Sequence, residues 1–572
     1  MKQIIFLFFN IYALYLIAQP VLSGVDISVK EKYKAEVAQA IKITGQPSIR
    51  DTNVEKLSVD IELRSRTLIP SSEMELIPSI KIARTKLYRL PSNTVMLAAG
   101  NYSTTRAGFA IGNARSPVIT WGLQGHHFST FSGFKSKNSQ GQQMSVFKNA
   151  SWFENGLSGH YNRVIGRGRL LTRASADWNR YSFYGQPLVD GFNDADTIKK
   201  SPGRWIQDYQ AEGTYMHSGN RRKQIFQSAH VRSHHWIDQG GRQVETGVYS
   251  ALEWRLPVQD IFIELPFITS LNRLSGTARI DTSGELISNT FWSAQFVPAI
   301  SDSIGNLSFK IGLNIIFTGL TANGNMVDRP YLPPIMHAEF PLVKNVLNIY
   351  FGLDGGAEND GMRSRVDQVP FLASSTEYQV VRKSSIYGGA NGRLSSSVGY
   401  RFGARVRSYE NYAMTIRNSA FIPSVIDSGR LFLEYIKMKS IEPSGELTFQ
   451  NGLGWELRGF ALLRFVSRPE DVNEKVYHLP ESQIGCQILF NLKDKIRFES
   501  TVIRHGERWG NFYGQDTRLD SYLDGRFSVV YTYNDQLNAT FRIDNIFNSR
   551  TSWWSGYAVQ GRRANLGLVY KF

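Results

Sequence analysis

The sequence predicts an all-β fold: a transmembrane, antiparallel, up-and-down β-barrel of about 18–22 strands. Three observations carry that expectation. From residue 93 onward, apolar and polar residues alternate with a period of two, the pattern of strands wetted on one face. The composition favours strands and tight turns, with 12% aromatic residues, 26 Tyr, 49 Gly and only 20 Pro in 572 residues. Beyond the N-terminal segment, no run approaches the roughly 18 consecutive apolar residues of a membrane helix.

At the N-terminus, Lys2 precedes an apolar run from Ile4 to Ala18 that only Asn10 interrupts. This reads as a secretory signal of residues 1–18, with cleavage as late as residue 23. No Cys lies near either position, so a lipid-anchored N-terminus is not expected. Residues 19–92 read as a Pro-punctuated periplasmic leader with a short helix around Glu31 to Ile41, and residues 93–572 as the barrel.

Within the barrel, "SQIGCQILFNLKDKIRFESTVIR" puts Ile484, Cys486, Ile488, Phe490 and Leu492 on one face, turns at Lys493-Asp494, and returns with Ile496, Phe498 and Val502 outward. "GRFSVVYTYNDQLNATFRIDN" repeats the device around Asn534-Asp535: Phe527, Val529 and Tyr531 alternate with Arg526, Ser528 and Val530, and Leu537, Ala539, Phe541 and Ile543 with Asn538, Thr540 and Arg542. A similar segment is read over 386–408. Longer connections are read at 130–140, 192–204, 321–334, 354–365 and 467–481. Long loops belong outside the cell and tight turns in the periplasm. Aromatic clusters at strand ends, Trp553, Trp554 and Tyr557 on one side and Tyr181, Phe183 and Tyr184 on another, are expected to form headgroup girdles. In the last strand Leu566, Leu568, Tyr570 and Phe572 share one face, which is expected to meet lipid.

The formal charge is +16, and export makes nucleic acid the weakest of the anionic partners. A single cysteine, Cys486, forms no intramolecular disulfide and reads as a buried, inert thiol among lipid-type residues. Arg163, Arg167, Arg169 and Arg173 crowd one hairpin, Arg221, Arg222 and Lys223 another, and Arg382 and Lys383 a third. Two uses stay open for them: lining a lumen that attracts anions, or holding phosphates of outer-leaflet lipopolysaccharide. His230 and His234 share a strand face but stand about 13 Å apart, too far for one metal shell, and the adjacent His126 and His127 point to opposite faces. No nucleophile motif is present, so no catalytic residue, metal or cofactor is expected.

At the C-terminus, "FRIDNIFNSRTSWWSGYAVQGRRANLGLVYKF" resembles the closing hairpin of TonB-dependent receptor barrels. The resemblance rests on Asn545-Ile546-Phe547, Trp553-Trp554, Gly556-Tyr557, Gly561-Arg562 and the terminal Phe572. It implies a large barrel in the outer membrane, lipid and lipopolysaccharide as neighbours, and a closing strand, ending in Phe572, that the outer-membrane insertion machinery reads. The family also carries an N-terminal plug of well over a hundred residues, and residues 19–92 are too few to supply one. "GNYSTTRAGFAIGNARSPVITWGLQGHHFSTFSG" is similar to the opening strands of plugless relatives from the Bacteroidetes. The expected function is therefore envelope transport or a passive channel. The alternative is a non-catalytic barrel subunit that meets other outer-membrane or periplasmic proteins through residues 25–92, and a barrel-borne hydrolase is the weakest reading.

Overall fold

An alternating strand leaves its backbone N–H and C=O groups to be satisfied by two neighbours, and in lipid every strand must find both, so the sheet has to close. The computed structural model describes residues 93–572 except 114, 138–142, 185–202, 218–224, 241, 259–260, 278–285, 323–324, 328–329, 359–360, 374–378, 418–429, 453, 469–473 and 513–514. The signal, the leader, and Arg221, Arg222 and Lys223 lie outside the described residues.

The chain forms a closed antiparallel barrel of 22 strands, each paired with its sequence neighbours. Closure joins the first strand, Thr94–Gly100, to the last, Arg563–Lys571, in the register Thr94↔Lys571 to Gly100↔Asn565. Asn93 and Phe572 extend that ladder: the Phe572 N–H donates to the Asn93 carbonyl at 3.0 Å, and the Asn93 N–H returns the bond at 3.3 Å. The terminal aromatic is thus tied by its backbone to the residue before the first strand.

Four staves are built from two segments each, for instance Leu286–Phe296 with Ala299–Ile304 and Asn325–Val327 with Pro334–Val343. Pro298 interrupts the first and Pro333 borders the break in the second, because proline has no N–H for the ladder. Where 386–408 reads as one segment, the structure has two strands, Val381–Arg393 and Val398–Arg417, joined at 394–397.

Leu566, Leu568, Tyr570 and Phe572 face outward and are exposed, as are Leu97, Phe109, Leu123 and Ile484 on other strands. An apolar belt around a whole barrel is untenable in water, and the protein is an integral outer-membrane protein. Cys486 is exposed on this belt, pairing across to Gly459 and Val502, and is not packed in protein.

The two barrel termini lie at the end carrying the short connections, including 166–167, 305–306, 493–495 and 533–536. At 493–495, Lys493 and Asp494 both take positive φ, 49° and 57°, the geometry of a type I′ hairpin turn. At 533–536 the Asn534 side chain accepts from the N–H groups of Gln536 and Leu537. The described segments 361–373, 379–380 and 474–481 lie at the opposite end. One expected loop is shorter than its reading: the strand Ile119–Lys137 occupies most of 130–140. Within 354–365, the strand Leu347–Glu358 runs on, and the chain then enters the α-helix Met362–Gln368.

Candidate functional site

The helix Met362–Gln368 buries Met362, Arg365 and Val366, an unusual position for a loop between two strands. Its apolar residues, with Val369, Phe371 and Leu372 after it, pack against inward-facing residues of distant strands: Ile206, Trp236, Leu274, Phe291 and Leu431. Phe371 is the centre of this cluster. Its ring stacks on Tyr557 at 3.7 Å and meets Tyr184 and Trp554 edge-on, both at 5.5 Å, and Trp152 at 6.2 Å.

This corrects the girdle expectation for two aromatic clusters. Phe183 and Tyr557 are buried, and Tyr181, Tyr184 and Trp554 pack against the same core. Aromatic residues at strand ends face lipid only if the chain beyond them stays outside; here Phe183, Tyr184, Trp554 and Tyr557 turn inward onto the cluster around Phe371. Burial raises the phenolic pKa of Tyr184 and of Tyr557.

Polar contacts fasten the loop to the wall. The Arg363 Nε donates to Asp208 Oδ2 at 2.8 Å, and its backbone N–H donates to Glu245 Oε2 at 3.0 Å. Glu245 sits so close to the start of the helix that a Cβ at residue 361 would fall 1.9 Å from a carboxylate oxygen, so a larger residue than Gly361 would have to displace the Glu245 side chain. Arg204 donates to Asp238 at 2.7 Å and to the Leu372 carbonyl at 2.7 Å. Beyond Leu372 the loop joins the strand Leu431–Gln450 through bonds between Leu431 and the backbones of Phe371 and Ala373. Asp367 on the helix is pushed up to about 6 by burial, against the attraction of Arg363 and with added repulsion from Asp208, Asp177 and Glu245.

A second cluster fastens another loop. A bulge between Tyr409 and Tyr412, with Asn411 at φ 59°, keeps Tyr412 and Met414 on the inner face, where Met414, Ile436 and Met438 pack against Val476. Next to it, buried His478 accepts the Ser555 N–H on Nε2 at 3.1 Å and turns Nδ1 toward the Thr415 carbonyl at 3.0 Å. Burial pushes this imidazole down to about 4, despite the Thr415 bond, so it is a neutral structural pin.

The residues that carried the resemblance also have structural duties. Asn545, at φ 50°, donates to the Ser549 and Gln560 carbonyls, and Arg562 donates to the Ile546 carbonyl at 2.8 Å. Gly561 lies against Asn548 and Tyr102, Gly556 takes φ 82° beside Tyr557, and Phe547 is exposed. Together they fold the segment 545–562 and deliver Trp554 and Tyr557 to the mouth.

The four arginines of one hairpin part company. By the ladder registers, Arg163 faces outward beside Tyr161 and Arg167 occupies the two-residue turn, whereas Arg169 and Arg173 face the lumen. Arg169 donates to Asn162 at 2.7 Å, and Arg173 lines a lumen recess of about 290 Å³ with His126, Asp177 and Glu212. His230 and His234 are also inward, whereas His127 faces outward and binds Asn155 at 2.6 Å.

No family model and no curated protein matches the sequence. Solved structures do match. The ferripyoverdine receptor of the Pseudomonas aeruginosa outer membrane is 12% identical, with a TM-score of 0.61 over 84% of this chain and 71% of its own. The FrpB iron transporter from Neisseria meningitidis is 9% identical, with a TM-score of 0.63 over 84% and 81%. The siderophore receptor PirA from Acinetobacter baumannii is 11% identical, with a TM-score of 0.62 over 84% and 80%. At such identities the likeness establishes the shared fold, a large closed antiparallel β-barrel.

Proposed function

We propose that this protein is a solute transporter of the outer membrane that works passively and without a plug domain, its route narrowed at the long-loop end by its own segment 361–373. The observation that carries the reading is the packing of Phe371 and Met362 against residues of widely separated strands, which places a loop across the mouth of the barrel. The likeness to receptor barrels supports a transport role. In this reading the polar lumen conducts, and undocking of the loop sets how often.

Replacing residues 361–373 by a short Gly-Ser linker is expected to convert a rarely open barrel into one with large, stable ion steps in planar bilayers. A replaced variant that inserts normally yet conducts no better than the parent would remove the loop as the barrier. A barrel silent in both forms that co-purifies with defined partners would favour the scaffold reading instead.

The docking also has a pH dependence with a definite sign. Docking raises the Asp367 pKa to about 6, so the docked loop binds a proton more tightly than the free loop. Docking therefore strengthens as pH falls through 6 and weakens as it rises. Open probability is expected to be lower at pH 5 than at pH 7.5, and Asp367→Asn to flatten the difference. A wild-type profile independent of pH would contradict this linkage.

A further inference from the structure

One part of the lumen wall carries charge that its own partners do not balance. The inward faces of four strands, Thr104–Asn113, Tyr522–Thr532, Leu537–Asp544 and Arg563–Lys571, bring four guanidinium groups to one carboxylate. Arg526 and Arg542 each reach Asp544 Oδ1 at 2.9 Å, Arg563 reaches Oδ2 at 2.9 Å, and Arg106 stands 3.6 Å from Oδ2. Even counting Asp524, one step along the same face as Arg526, two positive charges remain in excess.

The arrangement is also held in shape. The Phe128 ring lies between Arg106 at 4.7 Å and Arg563 at 5.1 Å, fixing two of the guanidinium planes by cation–π contact. Arg526 and Arg542 keep 57% and 32% of their side-chain surface open to the lumen, so the excess charge is accessible from one side. Beside them Asn565, across the ladder from Arg542, is only 4% exposed, and neither its amide nitrogen nor its amide oxygen has a hydrogen-bond partner. The close approach of Asn565 to the backbone of Gly100 holds it there: a Cβ at residue 100 would fall 2.4 Å from its Oδ1. A buried amide without partners costs free energy unless a ligand meets it.

We propose that this corner is a binding site for a multivalent oxyanion, a solute bearing several carboxylate or phosphate groups. Guanidinium forks match the paired oxygens of both groups, and two oxygens beyond those of Asp544 are what the exposed faces of Arg526 and Arg542 are placed to accept. Because the site opens to the lumen, its ligand arrives in solution and not from the lipid layer. This assignment names a solute class for the transport reading and rests on that reading for its purpose.

The test is calorimetric titration of the detergent-purified full chain with pyrophosphate and, separately, with citrate; the two probes distinguish a phosphate from a carboxylate source. At least one is expected to bind wild type, to weaken with added salt, and to bind Arg526→Gln/Arg542→Gln about tenfold or more weakly. The outward-facing Arg163→Gln should bind as wild type does. Heat-modifiable gel migration verifies folding of each variant, and Arg526→Gln alone, the most exposed of the set, serves if the double variant does not fold. Wild type binding neither probe, or a folded variant binding as tightly as wild type, would overturn the site. Swelling of liposomes in an uncharged sugar reads transport independently: swelling without oxyanion binding rejects the site alone, and binding without swelling, even after loop replacement, rejects the transport reading alone.

Discussion

Arg204→Ala is expected to release the loop from the mouth and to cost about 3–5 kcal/mol of stability, the range for leaving one member of a buried ion pair uncompensated. Arg204 and Asp238 are each 1% exposed, and their 2.7 Å contact supplies the carboxylate with its cation. The same guanidinium holds the loop through the carbonyls of Pro370 and Leu372. One substitution therefore strands a charge and cuts two tethers. The two effects separate in the double variant Arg204→Ala/Asp238→Asn, which removes the stranded charge but not the lost tethers. Thermal unfolding should recover in the double variant, whereas protease cleavage within 359–380 and bilayer conductance should stay raised in both. If cleavage and conductance match wild type in the single variant, Arg204 does not hold the mouth closed.

Deletion of Phe572 is expected to remove most of the assembled barrel from the outer membrane. Two mechanisms act together. The deletion breaks the reciprocal bonds between Asn93 and Phe572 that finish the closing ladder, and it removes an exposed aromatic from the end of the lipid-facing row Leu566, Leu568 and Tyr570. The resemblance of the closing hairpin also implies that the insertion machinery reads this strand. Quantifying heat-modifiable barrel in outer-membrane fractions decides the matter, and a normal amount of assembled protein would count against the role of the terminus. Phe572→Tyr, which keeps the backbone pair and an aromatic ring, should assemble far better than the deletion.

The barrel was largely legible in the sequence because its signal is local. Alternation at a period of two assigns each side chain a face before any partner strand is known, and the rows from Ile484 to Leu492 and from Phe527 to Tyr531 face outward as read. The turns at Lys493-Asp494 and Asn534-Asp535 lie at one end for the same reason. The mouth was not legible. Trp554, Tyr557, Phe183 and Tyr184 look alike as girdle residues or as core residues, since both places want large rings with a polar edge. What separates the two is whether Phe371, nearly two hundred residues away in sequence, arrives among them. The short helix that delivers it was read as an irregular connection, because seven residues hold too little helical period to recognise.

The arginines divide in the same way. Arg163, Arg167, Arg169 and Arg173 caught attention as a run, and the pleat distributes them among lipid face, turn and lumen. Arg526, Arg542 and Arg563 lie on three neighbouring strands around Asp544, and Arg106 joins them only because the barrel closes between Thr94–Gly100 and Arg563–Lys571. By itself the sequence determined the strand faces and the barrel, which follow from periodicity and backbone hydrogen bonding, while its closing strand was read from the resemblance of the last hairpin. Only the tertiary structure decided that these aromatic residues turn inward onto Phe371 and that Arg106 joins the arginines around Asp544, because both depend on contacts between segments that no local period links.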